Sequence, residues 1–246
     1  MIEFDLTGKA GVITGAGKGI GEAVARELAG LGASVVVCAR TQADIDKLVA
    51  EIKAAGGEAT GCRADVRKFS DMEMVAGTCL DKYGKIDFVV PNAGMDIEDN
   101  MCDGDPEDWR AMLETNVLGM AYVIRACLPH MRERASGHVV ITGSISSRVT
   151  YLGEPMYIAS KWAIAGMGGA LRREALEYGV HVTLIEPGLV DTPMIHALPE
   201  ANADLGRIEA LLPEDCAHAV AFALCQPRRV NTTQIQILPL EQGYSS

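Results

Sequence analysis

Tyr157 and Lys161 stand four residues apart in the stretch "MYIASKWAIAGMGG" (156–169). On a helix, side chains at i and i+4 share one face. A free tyrosine ionises near pH ~10, and a neighbouring ammonium favours the phenolate. A tyrosine tuned this way can hand a proton to a carbonyl oxygen or take one from an alcohol. Ser144 ends the preceding apolar run "HVVITG" (138–143), where a hydroxyl can hydrogen-bond the same oxygen. A Tyr-x-x-x-Lys spacing is common, and alone it assigns nothing.

A second chemical cluster lies near the start of the chain, in "TGAGKGIG" (14–21). Gly15, Gly19 and Gly21 let the backbone turn tightly and approach a ligand, with Lys18 and Ile20 between them. The helix that follows offers free N–H groups and a positive dipole end to a pyrophosphate. A P-loop is excluded: Gly19 follows Lys18 where Ser or Thr is required, and Val12 replaces the first glycine. The next apolar run ends "VVVCARTQ", with Arg40 where an acid would grip an adenosine ribose. Arg40 and Lys18 together suit a 2′-phosphate, which favours NADP(H) as cofactor.

The elements that must hold these residues alternate along the chain. Short apolar runs at 10–14, 34–39, 58–66, 86–94, 138–143, 180–188 and 233–240 read as strands. Helical periods fill 18–32, 42–57, 71–84, 155–178 and 213–226, and glycines close several of them. A longer helix is expected from Asp105-Pro106, a cap followed by a first-turn proline, toward Arg134. Pro129 falls inside it and is expected to kink or end it. This alternation predicts an α/β fold: a Rossmann-type, doubly wound parallel sheet of about seven strands. The irregular stretch 188–212 is expected to be a substrate loop.

The bulk numbers fit one dinucleotide-binding domain over 1–246. Of the 246 residues, 48% are hydrophobic but only 5% aromatic, so the core is expected to be aliphatic. A net charge of −11 repels a phosphate backbone and argues against nucleic acid as partner. The seven cysteines form no C-x-x-C, which suits reduced thiols and a cytoplasmic protein. The opening "MIEFDLTGKAG" has no signal-peptide character, and no apolar run nears the ~20 residues of a membrane span. No membrane partner is therefore expected. The histidines show no metal-ligand spacing, G-x-S-x-G is absent, and the acidic run Glu98, Asp99, Asp103, Asp105 reads as a solvated loop.

Taken in order, the glycine turn, "NAG" (92–94), "TNVLG" (115–119), Ser144, Tyr157, Lys161 and "PGLVDT" (187–192) resemble the short-chain dehydrogenase/reductase family over about residues 5–240. The resemblance implies a catalytic set of Asn116, Ser144, Tyr157 and Lys161. Asn116 would hold a proton-relaying water, Ser144 would orient the substrate oxygen, Tyr157 would be the acid/base, and Lys161 would lower its pKa. It also implies that Asn92, Ala93 and Gly94 line the cofactor. Asp65 and Val66 would meet the adenine, and Pro187, Gly188, Val190 and Thr192 would seat the nicotinamide. In this family the helix carrying Tyr157 commonly packs against its copy. Ala163, Ala165, Gly166, Gly168, Gly169 and Ala170 thus imply a homotetramer or homodimer.

Two narrower likenesses pull apart. "TGAGKGIG" with "ARTQADIDKL" is similar to xylulose and carbonyl reductases. "GDPEDW" (104–109), "EPMYIASK" (154–161) and "QIQILPLEQ" (234–242) are similar to ribitol and 3-hydroxy acid dehydrogenases. Pocket candidates are Met95, Asp96, Ser146, Arg148, Tyr151, Glu154, Met194 and His196. Their polarity suits a small hydroxylated substrate, while Arg148 as a carboxylate clamp would suit a hydroxy acid. The expected function is NADP(H)-dependent interconversion of a secondary alcohol and a ketone on a polyol, sugar or related compound. The alternatives are a 3-hydroxy acid dehydrogenase, an NAD-dependent ribitol-type dehydrogenase and, outside redox chemistry, a nucleotide-sensing regulator.

Overall fold

Seven parallel strands form one sheet in the order β3-β2-β1-β4-β5-β6-β7. They are β1 (Ala10–Thr14), β2 (Ser34–Ala39), β3 (Glu58–Arg63), β4 (Phe88–Val90), β5 (Gly137–Thr142), β6 (Val180–Pro187) and β7 (Gln234–Ile237). The computed structural model describes residues 4–243 except Gly206. Every adjacent pair is parallel, with Val12 opposite Val36 and Val89, and Val139 opposite Val182. Parallel strands buried on both faces are uniformly apolar, which is why "SVVVCA" is legible as a strand.

Alternate residues of each strand feed two separate cores. On one face Val12, Val36 and Val89 pack with α3 (Phe69–Tyr83), α5 (Met120–Glu133) and α6 (Pro155–Leu176), through Met72, Val123 and Ile164. On the other, Ile13, Val37 and Val90 pack with α1 (Gly19–Gly30), α2 (Gln42–Ala54) and α9 (Pro213–Leu224), through Leu28, Leu48 and Val220. Strand order reverses between β1 and β4, and the crevice beyond the carboxyl ends of these strands is the ligand position of such sheets.

Two segments differ from the sequence reading. The long helix is α4 (Pro106–Leu113), a π-helical segment over Glu114–Gly119, then α5. Asp105 caps it by accepting from the Glu107 N–H at 2.9 Å, and the helix runs through Pro129 to Glu133. By length and composition the continuous run Pro106–Glu133 would suit a membrane span. Met112, Met120, Val123, Cys127 and Met131 are instead buried, giving it the inward face of a core helix. The stretch 188–212 contains two short helices, α7 (Pro193–His196) and α8 (Pro199–Leu205), each begun by a proline at its first position.

Candidate active site

A cleft of about 460 Å³ opens at the carboxyl ends of β1, β4, β5 and β6. Its floor is the β1–α1 turn. Gly15 and Gly19 take φ of 64° and 58°, left-handed conformations that a side chain disfavours. Gly21 lets α1 approach the turn: a Cβ there would fall on the Gly15 carbonyl and on Asn92 Nδ2. No side chain caps α1, so its first N–H groups face the cleft, the arrangement that suits a pyrophosphate. Asn92 braces the turn by donating to Thr14 O at 3.1 Å, while Thr14 Oγ1 accepts from the Asn92 and Ala93 N–H groups. Arg40 is exposed at the end of β2, and Lys18 Nζ lies 3.6 Å from Asp44.

The opposite end of the cleft is built on β5 and α6. Tyr157 and Lys161 share one face of α6, with the ammonium over the phenol ring, 5.3 Å from its centroid. Lys161 Nζ donates to Gly143 O at 3.3 Å. Burial pushes the Lys161 ammonium down to about 8, and the Asp96 carboxylate pulls it back up. Tyr157 does not show the lowered pKa expected from its lysine neighbour. Burial, then the charges of Asp96 and Tyr151, push its phenol well above the usual value, and a hydrogen bond with Ser144 opposes them. Desolvation of a phenolate outweighs an ammonium held over the ring face rather than at the oxygen.

Asn116 stands behind Tyr157, only 1% exposed. Its Oδ1 accepts from Met95 N–H at 2.8 Å, and its Nδ2 donates to Met95 O at 2.9 Å and Ser160 Oγ at 3.1 Å. It occupies the π-helical segment, and π-bulges recur at functional positions. Gly15, Lys18, Gly19, Ile20, Arg40, Asp65, Val66, Asn92, Ala93, Gly94, Ser144, Tyr157, Lys161, Pro187, Gly188, Val190 and Thr192 all line the cleft. Gly21 and Asn116 support it from behind.

The substrate-side expectations fare unevenly. Met95 and Met194 line the cleft. Arg148 is not available as a carboxylate clamp through its Nε, which donates to the fully buried Glu186 at 2.9 and 3.1 Å. Ser147 and Gln236 also donate to Glu186, so the group is an internal polar anchor. His196 pairs with Asp191 at 2.7 Å on the surface. Ser146, Tyr151 and Glu154 are joined by hydrogen bonds beside Ser144. Burial first, then the Glu154 charge, push the Asp96 carboxyl up to about 8.

Much of the acidic run is not simply solvated. Asp99 accepts from the Trp109 indole, Glu98 accepts from Ala201 N–H, and Asp105 caps α4. Sequence reasoning missed Thr14, Thr115 and Thr142. Thr142 lines the cleft, and its Oγ1 is buried with no hydrogen-bond partner among the described residues. That orphaned hydroxyl, the uncapped helix and the glycine floor fit an extended dinucleotide. Position was the available signal: Thr14 directly precedes the glycine turn, and Thr142 stands two residues before Ser144.

The short chain dehydrogenase family model matches residues 9–203. The chain belongs to this family. An uncharacterized oxidoreductase of Staphylococcus epidermidis is 34% identical over 232 residues, covering 94% of this chain and 97% of that protein. Among solved structures, a metagenomic short-chain oxidoreductase in complex with NADP is 28% identical, with a TM-score of 0.84. The match covers 96% of this chain and 99% of that one. An actinorhodin polyketide ketoreductase variant with NADPH is 29% identical, with a TM-score of 0.87, covering 94% and 96% of the two chains. The short chain dehydrogenase fold thus extends past the matched segment to β7, and the chain is an oxidoreductase of that family.

Proposed function

We propose that this oxidoreductase interconverts a secondary alcohol and a ketone on a small hydroxylated compound, using NADP(H). One observation carries the reading: Ser144, Tyr157 and Lys161 converge at one end of a cleft whose other end is the glycine turn with Arg40. A bound nicotinamide dinucleotide supplies or takes up the hydride. In reduction, the Tyr157 hydroxyl gives its proton to the carbonyl oxygen; in oxidation, its phenolate takes the alcohol proton. Ser144 Oγ holds the same oxygen. Lys161 keeps a positive charge beside the phenol, and Asn116 fixes the Met95 backbone that walls the pocket. The solved relatives bound to NADP and NADPH support the phosphorylated cofactor, as do Arg40 and Lys18 at the β2 end.

A hydroxy acid fits less well than a polyol or sugar. Arg148 is engaged with Glu186, and the Glu154 charge acts on Tyr157 at the reacting end, where it would repel a substrate carboxylate. We also propose a homodimer or homotetramer. Gly168 packs inward on Ile141, whereas Ala163, Gly166, Gly169 and Ala170 form an exposed small face on α6 that permits close helix approach. The test is oxidation or reduction of the nicotinamide, followed by absorbance, with NADP(H) and NAD(H) against polyols, sugars, hydroxy acids and simple ketones. Turnover of a polyol or keto-sugar with NADP(H) is expected. Activity confined to hydroxy acids overturns the substrate reading, and cofactor binding without turnover of any class overturns the redox assignment.

A further inference from the structure

Three side chains run in single file away from Ser144. Ser144 Oγ donates to Ser146 Oγ at 3.0 Å. Ser146 Oγ and Tyr151 Oη are 2.7 Å apart, and Tyr151 Oη donates to Glu154 Oε2 at 2.8 Å. Ser146 is 2% exposed and Glu154 8%, while Tyr151 between them is 38% exposed. Ser144 Oγ also accepts from the Ser146 N–H at 3.1 Å, which fixes the oxygen in place while leaving its proton free to turn.

A hydroxyl has one proton to donate, and an ionised carboxylate only accepts. The far end of the file therefore decides the near end. With Glu154 ionised, Tyr151 donates to Glu154, Ser146 donates to Tyr151, and Ser144 donates to Ser146. Ser144 then presents only a lone pair to the cleft, which suits the O–H of an alcohol or of Tyr157. With Glu154 protonated the order can reverse, and Ser144 turns its proton toward the cleft, where it can hold a carbonyl oxygen.

We propose that Glu154 is a positioning residue for Ser144: through Tyr151 and Ser146 it sets whether the Ser144 hydroxyl accepts or donates in the cleft. The proposal rests on the reading of Ser144 and Tyr157 as the pair that meets the substrate oxygen. The charged and titratable groups around this corner are Asp96 and Glu98 from the loop after β4, and Tyr157 and Lys161 from α6. The Glu154 charge opposes ionisation of Asp96, so the two carboxyls titrate with regard to each other.

Two variants separate a file of hydrogen bonds from a charge acting through space. Ser146→Ala cuts the file and removes no titratable group; Glu154→Gln removes the charge and keeps the shape. The first readout needs no substrate. Ionisation of Tyr157 is followed by phenolate absorbance, each protein being compared with its own Tyr157→Phe partner. Cutting the file frees Ser144 to donate to the phenolate, so the phenolate signal appears about one to two pH units earlier, the scale of one charge-assisted hydrogen bond. Both variants are expected to move in that direction.

The second readout is the pH profile of 2,3-butanedione reduction by NADPH. Both variants are expected to change the kcat profile, with KM for the diketone held within about two-fold because the file meets the reacting oxygen only through Ser144. An unmoved Tyr157 titration in Ser146→Ala overturns the proposal. So does a shift confined to Glu154→Gln, which would be charge alone. A wild-type protein that reduces no carbonyl, yet shows the titration shift in both variants, supports the coupling and overturns only the oxidoreductase reading of the site.

Discussion

The two ends of the cleft are made by different physics. At the dinucleotide end, backbone does the shaping: left-handed glycines, an uncapped helix start and Thr14 bonded to successive N–H groups. At the other end, side chains hold one another: Ser144 to Ser146 to Tyr151 to Glu154, with Asp96 buried nearby. A backbone cradle tolerates any ligand with a phosphate in the right place. A corner of coupled titratable groups discriminates by charge, by hydrogen-bond direction and by pH. Generic binding and specific chemistry are thus separated along one cleft, and each end should fail in its own way.

The sharpest break is at the chemical end. Tyr157→Phe removes the proton donor and leaves the ring in place. Turnover is expected to fall by about a thousand-fold, within the range of a lost general acid–base. NADPH affinity, read by fluorescence, should stay close to that of the parent protein. A variant that keeps turnover would put the acid elsewhere in the corner. At the dinucleotide end the largest effect is expected from Arg40→Asp. It exchanges the proposed phosphate partner for a group that repels phosphate and can accept from a ribose. The ratio of kcat/KM for NADPH over NADH should fall by about ten- to a hundred-fold, on the scale of one charge-assisted contact. An unchanged ratio would remove Arg40 from cofactor choice.

Gly21→Ala tests the cradle more gently. The added methyl meets the Gly15 carbonyl and Asn92 Nδ2, so α1 must move away from the turn. Overpacking of this kind costs about 1–3 kcal/mol, and a loss of roughly tenfold or more in dinucleotide affinity goes with a cost of that size. The butanedione KM should hardly change, since the Ser144 end does not rest on this glycine. Equal losses for cofactor and diketone would mean that the two ends are not independent.

How much of this was legible in the sequence follows the same division. Strands and the glycine turn are local patterns: "SVVVCA" announces its burial, and Gly15 and Gly19 stand where their conformations are required. Tyr157 and Lys161 are fixed by one helix, so their spacing was enough to pair them. The corner is built from loops and from distant segments. Arg148 finds Glu186, thirty-eight positions away in sequence, and no local pattern announces that partner. Asn116 faces inward from a π-helical segment that periodicity reads as ordinary helix. Ser146, Tyr151 and Glu154 were expected to line the pocket but do not; they stand behind Ser144, and their order as a hydrogen-bonded file depends on how residues 143–154 fold back. The upward push on the Tyr157 phenol is not legible for a related reason: spacing shows the ammonium, whereas burial is a property of everything around it.

Asp96 gives the most specific effect, read in stability rather than in turnover. In the folded chain its carboxyl holds its proton up to about 8, against 3.8 for an exposed carboxyl. Between those values the folded state binds the proton that the unfolded state has released. Stability at this position is therefore full below pH ~4 and declines as pH rises toward ~8. Asparagine has a similar shape and no charge to desolvate. Asp96→Asn should melt close to the parent protein at pH ~4 and above it at pH ~8, on a scale of ~2–4 °C for each kcal/mol in a chain of this size. A difference independent of pH would mean that Asp96 is not held neutral by its surroundings. A difference that grows with pH, with dinucleotide affinity unchanged, would confine the titrating group to the substrate end and leave the cradle as the pH-indifferent half of the cleft.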